Sequence, residues 1–262
     1  MSRRGSEPAV GRVLHHVVER HAMAYRRHWH MQVATAAEPI LYLLALGVGV
    51  GGLVGEVDVG SERIPYARFL VPGMLVAGVM TSATLDTVFG FFVRLEYVGI
   101  YRSMLNTPLT VGDICAGEVA WAVGRATFHA FAFLSACWMT SVLDFPEGVG
   151  MLGVAGIVAF AFAAVGLASA TFLRSWVDFD LVLVALVPMF LFSGTFLPLD
   201  QLPRPLQWLT QASPLTHGVS TARSVLDGRV GWDDLLRVVA LLSAGLGGLR
   251  VANRRLTGVL AS

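Results

Sequence analysis

Three ionisable residues, Asp86, Glu118 and Arg125, lie within stretches of sequence that are otherwise strongly apolar. At the centre of a lipid bilayer each such group costs about 2.5 to 3.5 kcal/mol, so it needs a partner or a function. Glu118 and Arg125 are about two helical turns apart, which places them on one face of a helix. We therefore expect a polar strip in which Arg125 extends towards Glu118 at the water boundary, with a proton relay as the alternative.

Histidines form the densest cluster of potential metal ligands, close to the start of the chain. Only pairs three or four residues apart share a helical face, and no carboxylate or cysteine completes a ligand set. We expect these side chains to be partly solvated at a membrane interface and to bind no metal. They are the histidines at positions 15, 16, 21, 28 and 30.

Motifs of common enzyme classes are missing from the sequence. It contains no HExxH, no GxSxG and no CxxC, and all 19 basic residues are arginine. Without lysine the chain can house neither a P-loop nor Schiff-base chemistry. Ser82, Ser135 and Ser193 are expected to have no histidine at the same depth, which argues against a serine hydrolase. We predict that the chain is not an enzyme and needs no cofactor.

The composition of the chain predicts the kind of fold that holds these residues. The chain has 262 residues, of which 55% are hydrophobic and only 14% are charged, and its mean hydropathy is +0.66. Soluble domains carry about 25% charged residues, so we predict a single integral membrane domain over 1–262. Segments of about 20 apolar residues mark six transmembrane helices of an all-α fold. These spans are expected near 37–54, 69–92, 119–141, 149–172, 179–198 and 234–252.

Arginines orient the spans. The connections on one side of the predicted membrane carry 12 arginines and those on the other side carry five. The positive-inside rule puts the richer side in the cytoplasm, so both termini, 1–36 and 253–262, are expected there. Within 8–31 apolar residues recur at helical spacing opposite arginines, which predicts an amphipathic helix in the cytoplasmic interface.

Small and aromatic residues in the spans allow two further expectations. Gly47 and Gly51 form a GxxxG, and Gly245, Gly247 and Gly248 cluster in the last span, which favours close helix packing or dimerisation. Six phenylalanines could line an apolar path, although for most of them we favour ordinary packing or lipid contact. They are Phe89, Phe91, Phe92, Phe128, Phe131 and Phe133.

Two connections are distinctive. The inward one, 93–118, has an amphipathic face that ends at Thr107-Pro108, and the outward one, 192–228, is rich in proline. Leu202, Leu206, Trp208 and Leu209 suggest one short amphipathic helix there, and 219–226 a second, both dipping into the outer leaflet. We therefore predict short re-entrant helices between spans five and six.

Four short motifs stand out along the chain. They are the YARFLVPGML at 66–75 with Pro72-Gly73, the TPL at 107–109, the FSGTFLP at 192–198 and the SPLTH at 213–217. Each motif is short, but their order and spacing make the combination specific. Together with the two connections, they resemble the membrane subunits of ABC-2 type exporters, the family of the daunorubicin and nodulation-factor exporter permeases. The resemblance covers nearly the whole chain.

The resemblance implies a permease subunit that pairs with a second permease, identical or paralogous, and with two cytoplasmic ATP-binding subunits. The absence of lysine independently indicates that ATP is hydrolysed by another protein. In the family the inward connection between spans two and three touches the ATPase. That role would fall on Arg94, Glu96, Tyr101 and Arg102.

The expected function is export of an amphipathic or lipid-like compound, such as an antibiotic, across the bacterial plasma membrane, with antibiotic resistance as one outcome. An alternative is the same fold exporting a lipid-linked oligosaccharide or polysaccharide. A second alternative is a membrane immunity or sensor subunit that transports nothing. Nothing in the sequence identifies nucleic acid as a partner, because the arginines are scattered among the loops rather than gathered in a patch.

Overall fold

The computed structural model describes residues 29–59, 62–107, 109–196 and 203–261, together with residues 19, 20 and 23. Most of the predicted interfacial helix over 8–31 and most of the N-terminal histidines lie outside the described residues. Three π-helical segments, Ala45–Val50, Asp86–Gly90 and Val93–Val98, continue the first and third helices. The helices are α1 Trp29–Leu44, α2 Gly51–Val54, α3 Tyr66–Leu85, α4 Ile100–Met104, α5 Val111–Met139, α6 Met151–Ala170, α7 Asp178–Leu191, α8 Arg204–Gln211, α9 Pro214–Leu226 and α10 Trp232–Ala261.

Within the described part of the chain, four helical segments are long and apolar enough to cross a membrane. They are Ala37–Val54, Tyr66–Val98, Met151–Ala170 and Trp232–Gly258. These segments coincide with the first, second, fourth and sixth predicted spans. The second and the sixth extend beyond the predicted boundaries and, at about 50 and 41 Å of helix, are longer than the apolar core of a bilayer about 30 Å thick.

Helix α5, the third predicted span, begins earlier than expected. The Thr110 hydroxyl accepts a hydrogen bond from the Asp113 backbone, and the Asp113 carboxylate accepts one from the Thr110 backbone, which forms a capping box. The helix therefore starts at Val111 and has 29 residues, a length of about 44 Å. Arg125 and His129 in its middle lower its hydropathy, so it is not among the four apolar segments.

Helix α7, the fifth predicted span, is shorter than expected. It has 14 residues, about 21 Å of helix, and ends at Leu191. The expectation of a continuous helix as far as 198 was wrong, because the chain turns at 192–196 and Gly194 has a positive φ of 78°. A left-handed residue of this kind ends a helix, and glycine adopts it at little cost.

A β-hairpin follows α2, where only a connection had been predicted, but the described residues are mostly helical, which is consistent with the predicted all-α fold. Strands β1 Glu56–Val59 and β2 Glu62–Pro65 pair antiparallel, with Glu56 opposite Pro65. We call the end of the bundle that carries this hairpin the hairpin end. The opposite end, where α1 begins and α10 finishes, is the terminal end.

Helix α3 lies at the centre of the bundle, packed on α1, α5, α6 and α9. Nearly all of its residues from Phe69 to Thr84 are buried, because neighbouring helices cover it on every side. Helix α6 presents small residues to these neighbours, and Ala155, Ala159 and Ala163 are completely buried. Small side chains of this kind allow helix backbones to approach closely without cavities.

Helices α10 and α6 approach each other closely. A Cβ atom added to Gly248 would lie 2.8 Å from the backbone of Ala164, and one added to Gly245 would lie 3.2 Å from the Ala161 Cα. Nothing lies within 4 Å of the equivalent position on Gly247. The predicted glycine packing of the last span is therefore carried by Gly245 and Gly248.

We expect Gly248→Leu to destabilise the protein by at least about 1 to 3 kcal/mol, because the added side chain meets backbone that cannot move aside. Gly247→Leu is the matched control. It adds the same side chain in open space, where leucine is also the better helix former, so its stability should be unchanged or higher. Thermal unfolding in detergent micelles compares the two. Equal midpoints for the two variants would contradict this account of the α10–α6 contact.

An ion pair at the hairpin end ties α3 to the connection between α5 and α6. The Arg68 guanidinium donates to both carboxylate oxygens of Glu147, at 2.8 and 3.2 Å. Trp138 donates its indole N–H to the Glu147 backbone carbonyl. The hydrogen bond from Arg68 lowers the pKa of Glu147 below its usual range.

Because folding lowers this pKa, the pair stabilises the fold above the ordinary glutamate pKa of about 4.3 and ceases to do so as pH falls through the folded-state value. We expect Glu147→Gln to lower the unfolding midpoint slightly at pH 7, since the pair is partly exposed, and to change nothing at strongly acidic pH. Thermal unfolding from pH 7 downwards measures the difference. A gap between the two proteins that persists at strongly acidic pH would show that charge is not the cause.

Candidate functional site

A cleft of about 460 Å³ opens beside the terminal half of α3, between α1, α5 and α7. Its lining combines aromatic and aliphatic side chains, such as Phe89, Phe179 and Leu183, with Ser82 and the ion pair described next. A narrower space of about 210 Å³ between α1, α3 and α7 shares Glu38, Ser82 and Leu183 with it. Helix α3 becomes π-helical at Asp86, and π-turns of this kind are frequent at functional sites.

Asp86 and Arg125 form an ion pair at the edge of the cleft. The Arg125 Nε lies 3.3 Å from Asp86 Oδ2, and the side chains are 14% and 2% exposed. The prediction that Arg125 extends towards Glu118 was therefore wrong. Helix spacing identified a shared face, but the carboxylate that Arg125 meets comes from a different helix. The pair neutralises two charges that would be costly if either were buried alone.

Ser82 and His129 lie next to this pair. Ser82 Oγ is 3.1 Å from His129 Nδ1, and both residues are buried. The expectation that Ser82 has no histidine at its depth was wrong, because α3 and α5 cross there. The other ring nitrogen, Nε2, has no hydrogen-bond partner among the described residues. A nucleophilic serine needs a base that a third group orients, so this pair lacks the arrangement of a hydrolase.

A second polar cluster lies at the terminal end, around Glu118 near the start of α5. Its carboxylate is almost fully buried and accepts hydrogen bonds from Arg94 at 2.5 Å, Tyr101 at 2.8 Å and Arg20 at 3.3 Å. Arg94 Nε also donates to the Tyr101 hydroxyl, at 3.0 Å. We call Glu118, Arg94, Tyr101 and Arg20 the Glu118 cluster. It joins the end of the second span to α4 and α5.

The sequence missed the Glu118 cluster because its members are far apart in the chain and Glu118 was expected at the water boundary. Burial and the nearby Glu118 carboxylate raise the pKa of Tyr101 well above its usual range, so the phenol stays protonated and donates. Its ring stacks on Phe91, with centroids 4.9 Å apart. Tyr101 is therefore held by both polar and apolar contacts.

The four residues expected to touch an ATPase fall into different environments. Arg94 and Tyr101 point into the Glu118 cluster, and Tyr101 is fully buried. Glu96 is exposed. The side chain of Arg102 is outside the described part of the structure. The segment 93–107 thus has one side that packs against α5 and an exposed side that includes Glu96.

Aromatic side chains gather where the cleft reaches the terminal end. The Trp176 indole N–H donates to the Tyr97 hydroxyl, and the Trp176 ring lies 5.4 Å from that of Phe89 and 5.8 Å from that of Phe92. Of the six phenylalanines considered for an apolar path, Phe89 lines the cleft. Phe91, Phe92 and Phe133 are buried in the core, whereas Phe128 and Phe131 are exposed on the surface of α5.

The glycines of the first span contact the same chain. A Cβ atom on Gly47 would lie 3.2 Å from the Ala67 Cβ, and one on Gly51 would lie 3.8 Å from the Tyr66 ring. Both positions therefore pack the first span against the start of α3. The structure contains one chain, so a contact of this surface with a second copy stays a prediction.

Motifs that are distant in the sequence meet at the hairpin end. A Cβ atom on Gly73 would lie only 2.7 Å from the Thr195 Cα, so the PG of α3 packs directly on the turn at 192–196. Arg223 of α9 donates to the Gly194 carbonyl at 2.5 Å, and its guanidinium lies 4.1 Å from the Phe69 ring centroid. These contacts fasten the short helix α9 to the turn.

Comparison with known protein families shows which family the chain belongs to. The family described as ABC-2 type transporter matches residues 12–226. The chain belongs to the ABC-2 type transporter family. The match includes both polar clusters, the turn at 192–196 and helix α9, and it confirms the resemblance drawn from the sequence motifs.

Individual relatives agree with this membership. This chain is 34% identical to Nodulation protein J of Sinorhizobium fredii over 207 residues, which cover 78% of this chain and 77% of the relative. It is 33% identical to Nodulation protein J of Rhizobium leguminosarum bv. trifolii over 210 residues, with coverage of 78% and 77%. It is 24% identical to the inner membrane transport permease YadH of Escherichia coli over 203 residues, 77% of this chain and 79% of the relative.

Membership of the ABC-2 type transporter family defines the general role of the chain. It is a membrane component of a transporter and not itself an enzyme. The family implies an ABC ATP-binding partner in general. The apolar helices described above agree with a multi-pass membrane protein.

Proposed function

We propose that the chain is the permease subunit of an ATP-binding-cassette exporter in the bacterial plasma membrane. It crosses the membrane six times, with α5 and α7 as the third and fifth spans, and pairs with a second permease subunit. The terminal end faces the cytoplasm, which the excess of 12 arginines over five on that side supports. ATP hydrolysis by two separate subunits drives the transport.

The cargo is an amphipathic, lipid-like compound such as an antibiotic. The observation that carries this proposal is the cleft of about 460 Å³, whose lining combines aromatic and aliphatic side chains with the Asp86–Arg125 pair. The opposite charges of the pair compensate each other, so the site favours a polar but not strongly charged group. The apolar part of the lining suits an acyl chain or a ring system, as in most small-molecule sites.

A lipid-linked oligosaccharide is the second candidate cargo. The lining of the cleft includes the Thr81 hydroxyl and the Asp86 and Arg125 side chains, and such polar groups suit a cargo rich in hydroxyls. The names of the relatives, Nodulation protein J, are compatible with either cargo. The two candidates share the apolar part and differ in the headgroup.

Transport in vesicles tests both candidates. The chain and its ATP-binding subunit are reconstituted with the ATPase facing outwards, and uptake of a fluorescent amphipathic drug or of a labelled glycolipid is followed after ATP is added. Leu183→Trp narrows the cleft and should lower uptake at least about tenfold, a loss of about 1.4 kcal/mol of transition-state stabilisation. Val239→Trp, on an exposed residue of α10 that does not line the cleft, is the control.

Each result has a distinct meaning. Uptake of the drug assigns the first cargo, and uptake of the glycolipid alone assigns the second. If ATP drives uptake of neither compound, or if Leu183→Trp transports as well as the wild type, the proposal for this cleft fails.

The cytoplasmic segment 93–107 is the proposed contact with the ATPase. The exposed Glu96 makes the contact, together with Arg102, whereas Arg94 and Tyr101 hold the segment in place through the Glu118 cluster. Charge reversal at Glu96 should reduce co-purification of the ATPase while leaving the folding of the permease unchanged, because Glu96 is exposed. Unaltered co-purification would remove Glu96 from the interface.

A further inference from the structure

A separate apolar groove of about 380 Å³ lies on the other side of α7, between α3, α6, α7 and α10. Its walls are almost entirely aliphatic or aromatic and include Phe162, Val165, Ala185, Met189 and Ala244. Among the 14 residues of α7 only Leu186 is fully buried, so the chain itself covers little of this helix. The groove is therefore apolar space that another molecule must fill in a membrane.

The groove has the dimensions of one lipid chain. Along α7 it reaches from Asp178 to Met189, which is about 16 Å at 1.5 Å per residue. This length matches one leaflet of a bilayer whose hydrocarbon core is about 30 Å thick. One end of the groove lies at the terminal end of the bundle, and the other reaches Pro214 at the start of α9.

Positive charge lies at the terminal end of the groove. The Arg255 guanidinium stacks 3.8 Å from the ring centroid of Phe172, the residue before the groove-lining Leu173. Arg255 follows Ala244 by about three helical turns, so both lie on one face of α10. Within the described residues no carboxylate is in salt-bridge distance of Arg255.

The acidic side chain at the terminal end of the groove, which we call its mouth, already accepts hydrogen bonds from the backbone. The Asp178 carboxylate accepts hydrogen bonds from the backbone N–H groups of Arg174 and Ser175, at 2.7 and 3.0 Å. It therefore holds the turn before α7, and the neighbouring Arg174 charge offsets that of the carboxylate, which leaves the charge of Arg255 uncompensated. The mouth combines cationic side chains with a long apolar cavity, which is the chemistry that recognises an anionic lipid.

We propose that this groove binds one anionic phospholipid of the leaflet at the terminal end. One acyl chain occupies the space between α6, α7 and α10, and the phosphate lies beside Arg255 and Arg174. The lipid supplies the packing that the chain does not provide for α7. The groove and the cleft adjoin at Val88 and Val182, which line both, but their other lining residues on α6 and α10 belong to the groove alone, and the proposed lipid site does not depend on the identity of the cargo.

Lipid retention tests the proposal directly. The purified full chain in detergent is mixed with equal amounts of phosphatidylglycerol and phosphatidylcholine, and bound lipid is counted by native mass spectrometry. The wild type should retain phosphatidylglycerol preferentially. Arg255→Gln should reduce that preference about fivefold, the effect expected of one arginine near an anionic headgroup. Arg254→Gln, which removes the same charge from a different face of α10, is the matched control and should change the preference much less.

Two variants test the apolar part. Ala185→Phe and Val165→Trp each fill the groove from a different helix and should lower retention of phosphatidylglycerol, as judged on protein that remains monodisperse in gel filtration. Equal retention of the two lipids by the wild type overturns the proposal, and so does an Arg255→Gln variant that behaves like Arg254→Gln. Full retention in a folded groove variant also overturns it. The arginine comparison decides the question if neither groove variant folds.

Discussion

Asp86→Asn is expected to lower the free energy of unfolding by about 3 to 5 kcal/mol, because it leaves the buried Arg125 guanidinium without the charge it faces. Arg125→Met should cost a similar amount by leaving Asp86 buried without its counterion. Such losses are a large part of the 5 to 15 kcal/mol that stabilises a typical domain. Equilibrium unfolding in mixed micelles, monitored by tryptophan fluorescence, measures each change.

The double variant Asp86→Leu with Arg125→Met separates pairing from burial. It replaces both charges by apolar side chains, and such replacements of buried pairs are often neutral. The double variant should therefore be much more stable than the sum of the single losses predicts. Additive losses would mean that the two side chains do not depend on each other, contrary to the 3.3 Å contact.

The same double variant also bears on transport. If the Asp86–Arg125 pair contacts the polar part of the cargo, a stable double variant should bind ATPase normally and yet transport poorly. If the pair only holds α3 to α5, the double variant should transport like the wild type. A transport assay on variants of equal stability distinguishes cargo contact from helix packing. Stability measurements alone do not separate these two roles.

Hydropathy predicted the helices that are long and apolar enough to cross a membrane. Four of the six predicted spans correspond to helices that are long and apolar enough to cross, because the apolar length of a segment is a local property of the sequence. Glycine clusters in the last span also indicated close packing correctly at Gly245 and Gly248. Local pattern could not give the end of α7 at Leu191, because the turn at Gly194 depends on contacts with Gly73 and Arg223.

The polar sites were harder to predict, because their partners come from different helices. Spacing within α5 linked Glu118 to Arg125, yet each pairs with a residue of the second span, Arg94 and Asp86. The π-helical turns at 86–90 also rotate the residues that follow Asp86 relative to a regular α-helix, and the regular helical spacing used for the prediction did not include this rotation. The sequence could therefore identify the ionisable residues but not their pairing.

Glu118→Gln is expected to loosen the segment 93–107 as well as destabilise the bundle. The carboxylate accepts hydrogen bonds from Arg94, Tyr101 and Arg20, and each bond to a charged partner contributes about 1.5 to 3 kcal/mol. Glutamine keeps the shape but carries no charge, so at least one arginine loses its compensation. Hydrogen exchange of the amides in 93–107 should become faster than in the wild type, while that of the hairpin-end contacts stays the same.

Two further variants rank the contributions. Tyr101→Phe removes only the hydroxyl, which donates to Glu118 and accepts from Arg94, so its effect should be smaller than that of Glu118→Gln. Glu96→Gln alters an exposed side chain and should leave exchange unchanged. If the Glu118 cluster transmits ATPase movement to α5, Glu118→Gln and Tyr101→Phe should lower cargo-stimulated ATP hydrolysis in that same order without abolishing ATPase binding. Equal exchange rates in all three variants would mean that α4 is held by its apolar contacts, such as the stack of Tyr101 on Phe91, rather than by the buried carboxylate.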